Sequence, residues 1–141
     1  MAGLTPDSLC FKMGRVMRRM QAYYQARLSP LGLTPTQSYV LSMLHLNDGM
    51  TLGDLGERVA LDPSTLTGVI DRMERDGFVR RQHDTEDRRA IRVHLTEKAK
   101  EVEPQVRVLS KEFDALLRAS FKPEEMATFE RVLVSLAELA P

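Results

Sequence analysis

Between Asp62 and Thr96 the hydrophobic period of this chain changes, and few folds accommodate the change. Leu66, Val69, Ile70 and Met73 fall at i, i+3, i+4 and i+7, the period of one buried helical face. Eighteen residues after Met73, Ile91, Val93 and Leu95 alternate with Arg92 and His94, the period of a half-buried strand. The helix has a start and a stop. Asp62 can cap it, and Pro63 stands at the first helical position, where its missing N–H costs nothing. Gly77 ends it, because a left-handed residue is wanted there. Phe78 and Val79 open a partner strand, and His83 to Arg89 contain no apolar residue, as in a hairpin tip.

The polar face of the helix carries Ser64, Thr65, Thr67, Gly68, Asp71, Arg72 and Arg75. Small hydroxylated residues followed by arginines can enter a groove closely and still form hydrogen bonds. The hairpin tip admits two readings. It is a solvated turn, or it is a wing whose arginines reach a DNA minor groove, where the potential is most negative.

Upstream, Thr34-Pro35-Thr36-Gln37 is a capping box. It starts a helix to about Leu46, with Val40, Leu41, Met43 and Leu44 inward, and Asn47-Asp48-Gly49 turns the chain. Thr51 caps a short helix, Leu52 to Val59, with Leu52, Leu55 and Val59 buried and a close helix contact expected at Gly56. This helix, a short turn and the helix after Asp62 make a helix-turn-helix.

The flanks are helical too. From about Pro6 to Leu28, one stripe holds Leu9, Met13, Val16, Met17, Met20 and Tyr24. Its methionines suit an adaptable surface that serves as core, dimer seam or ligand wall. Thr96 caps a long helix in which Val102, Val106, Leu109, Phe113 and Leu116 alternate steps of four and three, as in helix pairing. Pro104 should kink it. A last helix begins near Pro123, with Glu124 and Glu125 in its first turn and Met126, Phe129, Val132, Leu133, Leu136 and Leu139 on its apolar side. These terminal helices are more apolar than a small winged helix needs, so the economical arrangement is a homodimer.

Charge sharpens this division. Lys+Arg and Asp+Glu each number 20, which argues against a general nucleic-acid coat. Yet Ser8 to Asn47 holds Lys12, Arg15, Arg18, Arg19 and Arg27 with no acid, while the segment from Thr96 onward has more acids than bases. The length of 141 residues suits one domain with dimerisation helices. The expected organisation is an N-terminal dimerisation helix at 1–33, a winged helix-turn-helix lobe at 34–96 and C-terminal dimerisation helices at 97–141. The fold class is mainly α with a small β wing, about six helices and a two- to three-stranded sheet. One cysteine, Cys10, allows no intramolecular disulfide and fits a cytoplasmic protein. The first ten residues show no signal-peptide pattern, and no apolar run is long enough for a membrane. His45, His83 and His94 lack metal-ligand spacing, and no Gly-rich phosphate loop or convergent polar cleft suggests an enzyme or a cofactor. His94 is expected on the wet strand face and His83 at the wing base.

The order of these elements resembles the MarR family of bacterial transcriptional regulators, across nearly the whole chain. Asp87-x-Arg89, five residues and Leu95-Thr96 match the family's wing pattern. Leu33-Thr34-Pro35-x-Gln37 matches the start of its second helix, Leu61-Asp62-x-Ser64-Thr65-Leu66-Thr67 the start of its recognition helix and Asp76-Gly77-Phe78-Val79 that helix's end. The resemblance implies a dimer that binds double-stranded DNA at a pseudopalindromic operator, usually as a repressor. It implies that Ser64, Thr65, Thr67, Gly68, Arg72 and Arg75 face the major groove or its phosphates. Arg88 or Arg89 would enter the minor groove, with Asp87 holding the wing arginine. It also implies a small phenolic or lipophilic effector at the junction of dimerisation helices and lobe, where Met13, Met17, Met20, Tyr39, Met43 and Phe113 are candidates.

A peroxide-sensing branch of the family carries a reactive cysteine early in its first helix. Leu9-Cys10-Phe11 and Leu55-Gly56-Glu57-Arg58-Val59 are similar to it, and Tyr24 stands where a cysteine-bonding tyrosine is placed. Pro35 and Gly14 stand where the branch has further aromatic residues. Lys12, Arg15 and a helix N-terminus would favour the thiolate. The alternative from a different class is a winged-helix protein-interaction module that does not bind DNA.

Overall fold

The computed structural model describes residues 5–139, so residues 1–4 and 140–141 of the expected terminal segments lie outside the described residues. The order is α1 (Leu9–Leu28), a 3-10 turn (Ser29–Leu31), α2 (Pro35–Leu46), β1 (Met50–Thr51), α3 (Leu52–Val59), α4 (Pro63–Arg75), β2 (Val79–His83), β3 (Ile91–Leu95), α5 (Glu97–Ser120) and α6 (Pro123–Leu139). Contacts divide the chain into two compact units, one through Val106 and one from Arg107 onward.

The first unit has a closed core. Leu28, Val40, Leu41, Leu44, Leu55, Ile70, Met73 and Val93 are fully shielded, and Phe78 is 1% exposed. Local chemistry sets the elements around it. The Thr34 hydroxyl accepts the Gln37 N–H at 3.2 Å, and the Gln37 side chain accepts the Thr34 N–H at 3.0 Å, so both bonds of the capping box form. Thr51 caps α3 by accepting the Asp54 N–H at 3.2 Å. A Cβ on Gly56 would stand 3.2 Å from the Leu61 carbonyl oxygen and 3.3 Å from a Leu66 methyl, so α3 and α4 approach closely there. At the end of α4, Phe78 N–H donates to Met73 O at 2.8 Å and Gly77 N–H to Glu74 O at 3.1 Å, with Gly77 at φ +83°. Those two bonds are a Schellman stop.

The sheet is antiparallel in the order β1-β3-β2. Val93 pairs with Met50 on one side and Arg81 on the other, and Val79 pairs with Leu95. Val93 and Leu95 are buried as expected, but Ile91 is only half-buried, because it pairs with His83 at the open end of the ribbon. Nor is the alternate face simply wet. His94 packs against Gly49, with a ring carbon 2.8 Å from where a Cβ would be. Leu52 and Val59, expected to be buried, are half-exposed, because they stand at the two ends of an eight-residue helix. Met43 is likewise half-buried.

Helix α1 starts at Leu9, later than Pro6, because the Ser8 hydroxyl caps it by accepting the Phe11 N–H at 3.2 Å. Its apolar stripe is not core of this chain: Leu9 is 77% exposed, Val16 63% and Met13 and Met17 48% each. Helix α5 is capped by Thr96, whose hydroxyl accepts the Ala99 N–H at 3.3 Å and donates to Gly77 O at 2.6 Å. It runs through Pro104 without interruption.

In the second unit Met126 is buried, whereas Phe121, Phe129, Leu133 and Val134 are exposed. Arg118 donates to Asp114 at 2.8 Å and reaches Glu130 on α6. Among the described residues no helix is long and apolar enough to cross a membrane.

Candidate nucleic-acid interface

Helix α4 is sharply two-sided. Leu66, Val69, Ile70 and Met73 are at most 3% exposed, while Ser64, Thr65, Thr67, Arg72 and Arg75 are exposed and Gly68 is half-buried. The hydroxyls at the start of the exposed face are oriented by acceptors that carry no proton. Ser64 donates to Asp62 at 2.7 Å, Thr65 donates to the other oxygen of Asp62 at 2.6 Å, and Thr67 donates to Pro63 O at 2.8 Å. Asp62 also accepts the Thr65 N–H at 2.9 Å as the helix cap. The Thr65 hydroxyl, the Thr65 N–H and the Ser64 hydroxyl together hold the Asp62 carboxyl well below the usual carboxylate range. Further along, an Arg72 nitrogen lies 3.7 Å from where a Gly68 Cβ would be, an ordinary contact distance, so the guanidinium lies over Gly68. Arg75 makes only a 3.4 Å exposed contact with Asp76.

Asp71, grouped with this face by periodicity, is turned elsewhere. With Glu74 it holds Arg81 of β2, at 2.5 Å and 3.0 Å, and Glu74 also accepts the Arg81 N–H at 2.9 Å. The hairpin is thus fastened to α4. The sequence contained a signal for this, since Asp71 and Glu74 are spaced i, i+3 and share a side of the helix.

In the wing, Arg88 and Arg89 are exposed, and neither guanidinium has an ion pair or hydrogen bond among the described residues. Asp87 does hold Arg89, but by the backbone: its carboxylate accepts the Arg89 N–H at 3.0 Å. A second clamp went unforeseen. Arg92 donates to Gly49 O at 2.8 Å and to Asp84 at 3.1 Å. The Arg92 side chain, followed by the Glu86 N–H, keeps the Asp84 carboxyl below its ordinary range. Finding this pair needed the strand register, which places residues 43 apart in contact.

The expected effector residues differ in exposure. Met13, Met17 and Tyr39 are exposed, Met20 and Met43 are half-buried, and Phe113 belongs to the second unit. A cavity of about 390 Å³ beside α4 is lined by other residues, among them Gln21, Gln25, Pro35, Thr65, Val69 and Arg72. Cys10 is exposed in the first turn of α1. Tyr24 lies on the same helix, about 21 Å further along at 1.5 Å per residue, so one chain does not bring the two together. Its ring instead packs edge-on against Tyr23, with centroids 5.5 Å apart.

Known proteins share this arrangement. The sequence profile of the MarR family matches residues 33–91. The HTH-type transcriptional regulator YsmB of Bacillus subtilis is 35% identical over 109 residues, 77% of this chain and 75% of that protein. The organic hydroperoxide resistance transcriptional regulator of the same species is 34% identical over 91 residues, 64% of this chain and 62% of its own. The solved structure of reduced AbfR bound to DNA superposes with a TM-score of 0.74 at 28% identity, covering 94% of this chain and 91% of that one. A helix-turn-helix whose second helix keeps its polar face free, followed by an arginine-tipped wing and by sequence kinship over three quarters of a relative, places the chain in the MarR family of transcriptional regulators.

Proposed function

We propose that this regulator is a cytoplasmic, sequence-specific DNA-binding repressor that acts as a homodimer on a pseudopalindromic operator and is released by a small lipophilic or phenolic ligand. One observation carries the DNA reading. A single lobe exposes both a close-fitting polar helix face, from Ser64 to Arg75, and a wing whose Arg88 and Arg89 are uncommitted. In the proposed complex Ser64, Thr65, Thr67, Gly68, Arg72 and Arg75 meet the major groove and its phosphates. Arginine suits bidentate contacts to guanine, and threonine suits phosphate or a thymine methyl. Arg88 or Arg89 enters the minor groove, and Asp87 shapes the turn that presents it. The exposed stripe of α1 and the exposed apolar residues of α6 support pairing of two copies through segments 1–33 and 97–141, with 34–96 as the reading lobe. Two copies would read half-sites about 10 bp apart. The cavity beside Arg72 supports the ligand reading, since an anion there would bear directly on α4.

Fluorescence anisotropy with the DNA upstream of the protein's own gene tests the proposal. Binding should weaken steeply as salt rises, because phosphate contacts release counterions. A protein-interaction module would show no such binding. Replacing Arg88 and Arg89 by alanine should cost about tenfold in affinity with the unfolding midpoint unchanged. Unchanged affinity would sink the wing assignment. Adding a phenolic carboxylate should release the DNA.

A second reading has its own support. Cys10 is exposed, and one similar protein is a regulator of organic hydroperoxide resistance. A peroxide would oxidise the thiolate to a sulfenic acid and lose water or an alcohol. Under this reading peroxide releases DNA from the protein, and Cys10→Ser abolishes the response.

A further inference from the structure

A polar hairpin tip has no core of its own, so something else must set the direction in which its arginines point. The tip between β2 and β3 is closed by the Asp84 N–H donating to Ala90 O at 3.0 Å and the Ala90 N–H donating to Asp87 O at 3.0 Å. Those bonds are internal to the tip and do not tie it to the lobe. The tie comes from Arg92. Its register opposite Thr51 and Gln82 puts it in the central strand of the sheet. One guanidinium nitrogen donates to the Gly49 carbonyl at 2.8 Å, and another donates to Asp84 at 3.1 Å. The other oxygen of Asp84 accepts the Glu86 N–H at 3.3 Å, inside the tip. A continuous chain of bonds therefore runs from the turn after α2, through Arg92, into the wing.

Its inner end is fixed. The Gly49 N–H donates to Val93 O at 3.0 Å, and φ at Gly49 is +78°. The His94 ring occupies the space where a side chain would be. Its outer end is an acid in the place where an acid is least useful for attracting phosphate. Asp84 has only 15% of its side chain exposed and stands within a few residues of Arg88 and Arg89. A carboxylate kept there calls for a role other than attraction, and the bond to Arg92 supplies one.

We infer that Arg92 is a positioning residue for DNA recognition: through Asp84 it fixes the wing tip against the turn after α2, and so sets where Arg88 and Arg89 meet the duplex, without contacting DNA itself. The inference rests on the DNA-binding reading given above. Its guanidinium is already committed to two acceptors, whereas those of Arg88 and Arg89 are not.

The sign of one substitution separates positioning from simple charge. Asp84→Ala removes a negative charge close to the phosphates, so through-space attraction alone would tighten binding. Positioning predicts about threefold to tenfold weaker operator binding, with Arg92→Gln giving a similar loss. Asp84→Asn keeps an acceptor for Arg92 and should recover part of the affinity, which a charge effect would not distinguish from alanine. In a background lacking the Arg88 and Arg89 side chains, the Asp84 and Arg92 substitutions should have no further effect. Binding equal to or tighter than wild type in Asp84→Ala overturns the inference. So does a loss from Arg92→Gln that persists without Arg88 and Arg89, since that marks a direct phosphate contact. A general loss of folding would appear as a lowered unfolding midpoint and would also persist in that background, which counts against positioning. If the wild-type chain binds no upstream DNA, the DNA-binding reading falls and takes this inference with it. Wild-type binding that is insensitive to Asp84 overturns the inference alone.

Discussion

Helices α1 and α4 carry apolar stripes of similar regularity and opposite fate. Leu66, Val69, Ile70 and Met73 of α4 are 0–3% exposed, whereas Leu9, Met13, Val16 and Met17 of α1 are 48–77% exposed. Periodicity establishes that a face is apolar, and it is silent on what covers the face. The lobe covers α4 with residues of the same chain. On α1 the cover is not supplied by the described residues, and leaving four large apolar side chains in water is costly enough to favour a second copy.

Substitutions can break this comparison, and the largest effect belongs to the closed core. Phe78→Ala should destabilise the protein by about 3–5 kcal/mol, through lost burial and the cavity left behind, as read by denaturant unfolding. A similar change on the α1 stripe should act differently. Met17→Asp should weaken self-association at least about tenfold in sedimentation equilibrium, while the lobe keeps its cooperative unfolding. If Met17→Asp unfolds the lobe or leaves association unaltered, the proposed seam is wrong.

A smaller effect is expected at Thr34, where alanine removes the cap that starts α2 and should cost about 1 kcal/mol. The smallest concerns pH. Asp62 has its folded-state pKa depressed by the Thr65 and Ser64 groups around it. Its contribution to stability is therefore full above the ordinary carboxylate range and is lost progressively as pH falls below about 5. Asp62→Asn should flatten that acid limb of the stability curve by removing the charge-dependent part of the stability at neutral pH, as measured by thermal unfolding from the acid range to neutral.

What could be read from the sequence was local. The caps at Thr34, Thr51, Asp62 and Thr96, the stop at Gly77 and the inward stripe of α4 all depend on residues within a turn or two of one another. The exposed polar face followed from the same helix. What escaped depended on distance along the chain. Arg92 meets Gly49 only because β1 and β3 pair, and Arg81 meets Asp71 only because the hairpin folds back on α4. Both arginines look in sequence like further members of a basic wing, yet they are bound within the fold. Ile91, Leu52 and Val59 failed for a simpler reason, since residues at the ends of short elements lack a neighbour on one side. The environment of α1 was illegible because periodicity does not say what covers a face.

The segregation of the two faces of α4 has an evolutionary consequence. Ser64, Thr65, Thr67, Arg72 and Arg75 fill no part of the core, and the four residues that do fill it take no part in the exposed surface. Surface changes away from caps and buried groups usually alter stability by only about 0.5 kcal/mol. A duplicated copy can therefore drift toward a new target without first acquiring a compensating stabiliser, as long as the Asp62 cap is kept. Lineages built on this helix are free to diversify in what they recognise long before they diversify in how they fold.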